Sequence, residues 1–138
     1  MTNVLDMDFI RYLNLFEKIS RVRTNHCFRY NNNIVFAVPK NVFSKAIGKD
    51  GRNIRKISEI LGKRIKIVRI AEDERDAERF FSDVVDPFTF KSFKIEEGEF
   101  VVSASRQNKA GLIGRNKTRL KEMQEISEQF FNRKLRLV

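Results

Sequence analysis

Ala46-Ile47-Gly48-Lys49-Asp50-Gly51-Arg52-Asn53-Ile54 places two glycines three residues apart, where a short apolar turn gives way to a helical pattern. Lys49 and Arg52 flank the second glycine, and Ile54, Ile57 and Leu61 follow at the spacing of one helix face. The stretch reads as a tight loop feeding a helix N-terminus. With no Cβ at either glycine, main chain can come close to a phosphate, and helix-start N–H groups and the dipole favour negative charge. Most Gly-x-x-Gly strings are ordinary turns or helix ends, so the meaning of this one depends on its surroundings.

The surroundings are basic. The chain has 28 Lys and Arg against 18 Asp and Glu, a net charge of +10 that points to polyanionic partners through release of counterions from phosphates. The bland alternatives are simple solubility or a protein partner with an acidic face. The excess is uneven. Residues 1–71 hold 15 bases and 5 acids, whereas residues 72–138 hold 13 of each. Within the second half, ten acids between Glu72 and Glu99 precede a stretch from Phe100 to Val138 with nine bases and three acids. Two basic blocks separated by an acidic one suggest a repeated unit.

At 138 residues the chain has room for one ordinary domain or two small ones. Its 13 Phe and absence of Trp make Phe the expected core filler. The longest apolar run, Ile34 to Val38, falls far short of the ~20 residues that span a bilayer. Met1 to Asp6 shows neither the basic nor the apolar segment of a secretory signal. The lone cysteine, Cys27, excludes an intrachain disulfide framework and suits a reducing cytosol. The expectation is a cytoplasmic protein that does not enter membranes.

Taken in order, Asp6 to Ile19 reads as an amphipathic helix carrying Phe9, Leu13 and Phe16. His26 to Tyr30 alternates as a strand, Asn31-Asn32-Asn33 is a turn signal, and Ile34 to Val38 is a buried strand ended by Pro39. A short helical turn from Phe43 to Ile47 enters the loop. The following helix stops at Gly62, and Arg64 to Ile70 is a further strand. The order then restarts. Acids 72–74 suit the first turn of a helix carrying Ala77, Phe80, Phe81 and Val84, which Pro87 ends. Phe88 to Phe93 and Phe100 to Ala104 read as strands around a turn at Glu96-Glu97-Gly98. A helical turn from Gln107 to Ile113, a helix from Thr118 to Phe130 and a strand from Lys134 to Val138 complete the chain.

At a spacing of 66, Ile34 falls on Phe100, Ile47 on Ile113, Gly48 on Gly114, Lys49 on Arg115, Ile54 on Leu120 and Ile57 on Met123. The last strands match only after a four-residue insertion. Apolar positions agree by chance often enough; a loop glycine with its adjacent base and flanking turns does not. The chain is a tandem of two similar units, 1–71 and 72–138.

Ile47-Gly48-Lys49-Asp50-Gly51-Arg52-Asn53-Ile54 resembles the KH signature, in which Ile-Gly-x-x-Gly precedes a basic residue and an apolar helix. The helix and strand ahead of the core resemble the type II arrangement, and two such units resemble the archaeal NusA-like transcription termination or elongation factors. The resemblance implies an α+β fold of two tandem type II KH domains, each a three-stranded sheet packed with helices on one face. The connection 68–72 has no glycine, proline or serine, so the units are expected to be rigidly joined, with both loops on one face.

The resemblance further implies a monomer that binds single-stranded RNA in a groove, the loop clamping the backbone. RNA polymerase is a candidate partner. In the first unit the implied RNA-binding residues are Lys45, Ile47, Gly48, Lys49, Asp50, Gly51, Arg52, Asn53 and Arg55, with Ile47 as the candidate apolar floor. In the second they are Lys109, Gly114, Arg115, Asn116, Lys117 and Arg119. The second loop departs from the pattern, because Lys117 stands where the closing glycine belongs. A Cβ there is expected to block the closest phosphate approach or tilt the loop, which gives the second unit a weaker role. Ile57, Leu61 and Val35 read as core.

Other readings have less behind them. His26 and Cys27 are adjacent on a strand, so their side chains face opposite ways, and no second Cys or His completes a metal site. No Walker loop occurs. No catalysis, cofactor or metal is expected. A ribosome-associated or rRNA-processing KH protein, or a KH-fold protein-interaction module, are the alternatives.

Overall fold

A computed structural model describes residues 7–138, which divide into two compact units between Ile70 and Ala71. In the first unit the order is α1 (Met7–Ser20), β1 (His26–Tyr30), β2 (Asn33–Val38), α2 (Phe43–Ile47), α3 (Arg52–Leu61) and β3 (Arg64–Arg69). Asp6, expected to begin the first helix, lies outside the described residues. β1 and β2 pair antiparallel, with Tyr30 opposite Asn33, and β3 pairs parallel to β2 on its other side. The hairpin turns on Asn31 and Asn32, both at positive φ, the twist that a two-residue hairpin needs.

Helix α1 is placed by its apolar stripe. Phe9, Tyr12 and Phe16 are buried, with Tyr12 deeper than the expected Leu13. Phe16 stacks on Phe36 of β2 at 4.4 Å between ring centroids. Ile57 of α3, Ala46 of α2 and Ile67 of β3 complete the same cluster. Each large side chain so buried contributes about 1.5–3 kcal/mol. Gly62 ends α3 in the left-handed conformation, its N–H donating to Ser58 O.

The second unit repeats this order: α4 (Ala77–Val85), β4 (Ser92–Glu96), β5 (Glu99–Ser103), α5 (Arg106–Ile113), α6 (Thr118–Phe131) and β6 (Leu135–Leu137). β5 is again central, antiparallel to β4 and parallel to β6. Its core is a phenyl cluster, in which Phe100 lies 5.0 Å from Phe93 and 5.3 Å from Phe131, and Phe80 5.1 Å from Phe130.

Two expected boundaries move. Acids 72–74 do not open α4. Asp73 instead accepts from the Arg75 N–H at 2.8 Å and caps a 3₁₀ turn over Glu74–Asp76, so the helix begins at Ala77. The strand expected over 88–93 is displaced to Ser92–Glu96. Thr89 N–H is taken by the Asn108 side chain of α5, and the Phe88 ring lies against Gly111, where a Cβ would sit 2.5 Å from it. Residues 88–89 are thus held by α5, and the first bond to β5 comes only at Lys91, whose N–H donates to Ser103 O at 2.6 Å.

Candidate nucleic-acid interface

Both loops follow the same backbone path. After α2, Gly48 takes φ 81 and ψ 167, Asp50 φ 54 and ψ 29, and Gly51 φ 73 and ψ 20. After α5, Gly114 takes φ 73 and ψ 173, Asn116 φ 56 and ψ 29, and Lys117 φ 61 and ψ 23. Gly51 N–H donates to Gly48 O at 3.1 Å, and Lys117 N–H to Gly114 O at 3.2 Å. Gly48 N–H and Gly114 N–H close onto Ser44 O and Ala110 O, each at 3.0 Å. The expected tilt of the second loop does not occur. Lys117 accepts the left-handed conformation, at the ~1–2 kcal/mol that an L-residue costs there.

The two glycines of the first loop are required to different degrees. Extended ψ at positive φ is a region open essentially to glycine, and a Cβ on Gly48 would lie 2.9 Å from Asn53 Cγ. A Cβ on Gly51 would meet only the Arg55 guanidinium, at 3.5 Å. Gly114 repeats the constraint of Gly48, with Arg119 N at 3.1 Å.

Asn53 and Arg119 occupy one role. Asn53 Nδ2 donates to Lys45 O and Ala46 O, tying the start of α3 to the last turn of α2. Arg119 Nε donates to Gly111 O, the carbonyl aligned with Lys45 O, and its guanidinium lies 4.8 Å from the Phe88 ring centroid. Both side chains turn back into the protein and position the loop. Lys45, Lys49, Asp50, Arg52 and Arg55 are exposed around the first loop, where Arg55 Nη1 donates to Asp50 O. Arg115, Asn116 and Lys117 are exposed around the second, and Lys109 is half-buried. Ile47, the expected floor, packs against the core.

Beside the first loop lies an open depression that the sequence did not single out. It is lined by Ile54, Arg55, Ser58 and Glu59 of α3 and by Asn33, Arg64 and Ile65 of β2 and β3. Ile54 and Ile65 give it an apolar floor; Arg55 and Arg64 give it a basic rim. The corresponding surface of the second unit is knitted to itself. Gln124 Nε2, at the position of Ser58, donates across to Leu135 O of β6 at 3.1 Å. Leu135, in the place of Ile65, is 3% exposed. Lys134, in the place of Arg64, is exposed, and the neighbouring Arg136, in the place of Lys66, pairs with Glu96 at 3.6 Å and Glu99 at 3.5 Å.

A helix–strand–strand–helix–loop–helix–strand unit with a parallel β2–β3 pair and a glycine loop joining its last two helices is a type II KH domain. The chain therefore has the fold of two tandem type II KH domains. A family model described as the NusA-like second KH domain matches residues 17–75, which fall mostly on the first unit. The probable transcription termination protein NusA of Halococcus morrhuae is 25% identical over 126 residues, covering 89% of this chain and 88% of that protein. The protein of that name from Methanocaldococcus jannaschii is 29% identical over 83 residues, 60% of this chain and 44% of its own length. The crystal structure of APE1850 aligns with a TM-score of 0.66 at 25% identity, over 97% of this chain and 100% of that one. The chain resembles the archaeal NusA-like factors. Among the described residues no helix is long and apolar enough to cross a membrane.

Proposed function

We propose that the chain is a single-stranded RNA-binding factor whose first unit is its principal clamp, and that it acts in transcription termination or elongation, as the names of its relatives suggest. The observation that carries this reading is the continuity of loop and depression. Arg55 both hydrogen-bonds the loop at Asp50 O and lines the depression beside it. A phosphate seated at Gly48–Gly51 would meet Lys49 and Arg52, while the adjoining bases lie over Ile54 and Ile65, between Arg55 and Arg64. Stacking and apolar contact suit unpaired bases, whereas a duplex keeps its base faces inside. Ile54 and Ile65, which line the depression, would join Ile47 as the apolar floor. In the second unit Arg115 and Lys117 offer charge while Gln124 ties the following helix to β6, so its contribution is electrostatic.

The test is titration with labelled single-stranded RNA, duplex RNA and duplex DNA at several salt concentrations. The reading expects single-stranded RNA to bind tightest and to retain its preference as salt rises. Equal affinity for all three would make the chain a general polyanion binder and overturn it. Co-purification with RNA polymerase, rather than with small ribosomal subunits, would support the transcription role.

A further inference from the structure

The connection from α1 to β1 alternates anchors with cations. Ser20 and Val22 are buried, whereas Arg21 and Arg23 are exposed. Ser20 Oγ donates to Phe16 O at 2.7 Å and accepts from Val22 N–H at 3.1 Å. Thr24 Oγ1 donates to Ala37 O at 2.6 Å and accepts from His26 N–H at 3.2 Å. The backbone is therefore fixed on both sides of each arginine. Lys18 joins them around an open depression that Asn14 and Glu17 also line. Among the described residues, none of Lys18, Arg21 and Arg23 has a carboxylate at ion-pair distance.

Two details set this cluster apart from an ordinary solvated surface. Arg21 sits just past the helix at φ 62, where glycine or asparagine is usual and an L-residue costs ~1–2 kcal/mol. Cations do offset the dipole at a helix C-terminus, but the second unit shows that this fold does not need them. Its aligned residues are Val84, Pro87 and Thr89, Asp86 replaces Ser20, and the last turn of α4 holds no base. The cations are particular to the unit that carries the complete glycine loop and the net +10.

We propose that Lys18, Arg21 and Arg23 form a second phosphate-binding surface of the first unit, holding RNA backbone that has left the groove of α3 and β3. The proposal rests on the RNA-binding reading above. Arginine's planar fork fits phosphate oxygens in pairs, and a backbone already fixed loses little freedom when it binds. The depression is lined by polar and charged side chains with no apolar floor for bases, so it would add affinity without sequence preference.

The test compares the full chain with its Arg21→Asn/Arg23→Gln variant, asparagine being tolerant of the left-handed turn. The probes are an oligouridine of about four nucleotides, the length one groove clamps, and one of about twenty. On the long RNA the slope of log affinity against log salt should fall by roughly 1.4, at about 0.7 for each phosphate no longer neutralised. Binding of the short RNA should not change. Lys18→Gln, which leaves the turn untouched, should lower the long-RNA slope by about 0.7. An unchanged long-RNA slope in a folded variant, or equal losses on both lengths, would overturn the proposal. A Gly48→Asp variant run alongside separates the two claims: losses there, with none in the arginine variant, sink this surface alone. If the parent binds neither oligonucleotide, both readings fall. A variant that loses polyglutamate binding while keeping its RNA slope would assign the patch to an acidic protein instead.

Discussion

The loop after α2 and the loop after α5 match to within about a dozen degrees at their three positive-φ positions, yet the surfaces beside them have diverged. One borders an open depression floored by Ile54 and Ile65. The other borders a helix bridged to its neighbouring strand by Gln124 and a strand arginine held by two glutamates. Loop shape is thus the part of the repeat that both units share, and the groove is the part that varies. A Gly-x-x-Lys loop keeps the geometry because only the first glycine is sterically locked. What distinguishes the two units is the depression beside the first loop and the helix-to-strand bridge beside the second.

The comparison can be broken most sharply at the locked glycines. Gly48→Ala and Gly114→Ala should each cost about 1–3 kcal/mol, from a conformation nearly closed to other residues. Gly51→Ala should cost about 1 kcal/mol, and Lys117→Gly should be neutral or slightly stabilising. Chemical denaturation measures all four, and equal costs at Gly48 and Gly51 would contradict the asymmetry.

A smaller effect is expected at the bridge. Gln124→Ala should lose about 0.5–1.5 kcal/mol of stability in removing the bond to Leu135 O. Faster amide exchange along β6 would accompany it, and an unperturbed β6 would show that the bridge holds nothing. In salt titrations, Lys49→Ala should flatten the RNA slope by about 0.7. Arg136→Ala should leave it unchanged, because Glu96 and Glu99 already hold that charge.

The smallest effect is on pH dependence. Burial holds the His26 imidazole below its ordinary value of 6.5, whereas Ser92 stands at the aligned position of the second unit. The unfolded chain therefore takes up this proton more readily than the folded one. Stability on this account is complete above about pH 6.5 and declines as pH falls through that value toward the folded one. His26→Asn should remove that part of the acid sensitivity in pH-resolved melts. An identical pH profile would show that His26 is indifferent to folding.

Much of this was legible in the sequence because the repeat carried it. Gly48, Gly114, the apolar helix faces and the asparagine turn mark local conformation directly. What was missed depended on contacts between distant residues. The displaced strand at Ser92 follows from Phe88 lying on Gly111, 23 positions away. Counting 66 from His26 would have located it. Asn53 and Arg119 read as RNA-binding residues of the two loops, and only the fold reveals that each reaches back to the preceding helix. The floor at Ile54 and Ile65 was obscured for a similar reason, since an isoleucine at a groove edge and one in a core look alike in a periodic pattern.

Single-stranded RNA binding by paired loop variants tests the central claim most directly. Gly48→Asp/Gly51→Asp places two carboxylates at the first loop, and Gly114→Asp/Lys117→Asp does the same at the second. With both proteins shown to be folded, the first pair should lose at least about 100-fold in affinity, from roughly 3 kcal/mol of charge-assisted hydrogen bonding removed. The second should lose about tenfold or less. Equal losses, or a larger loss at the second loop, would contradict the account.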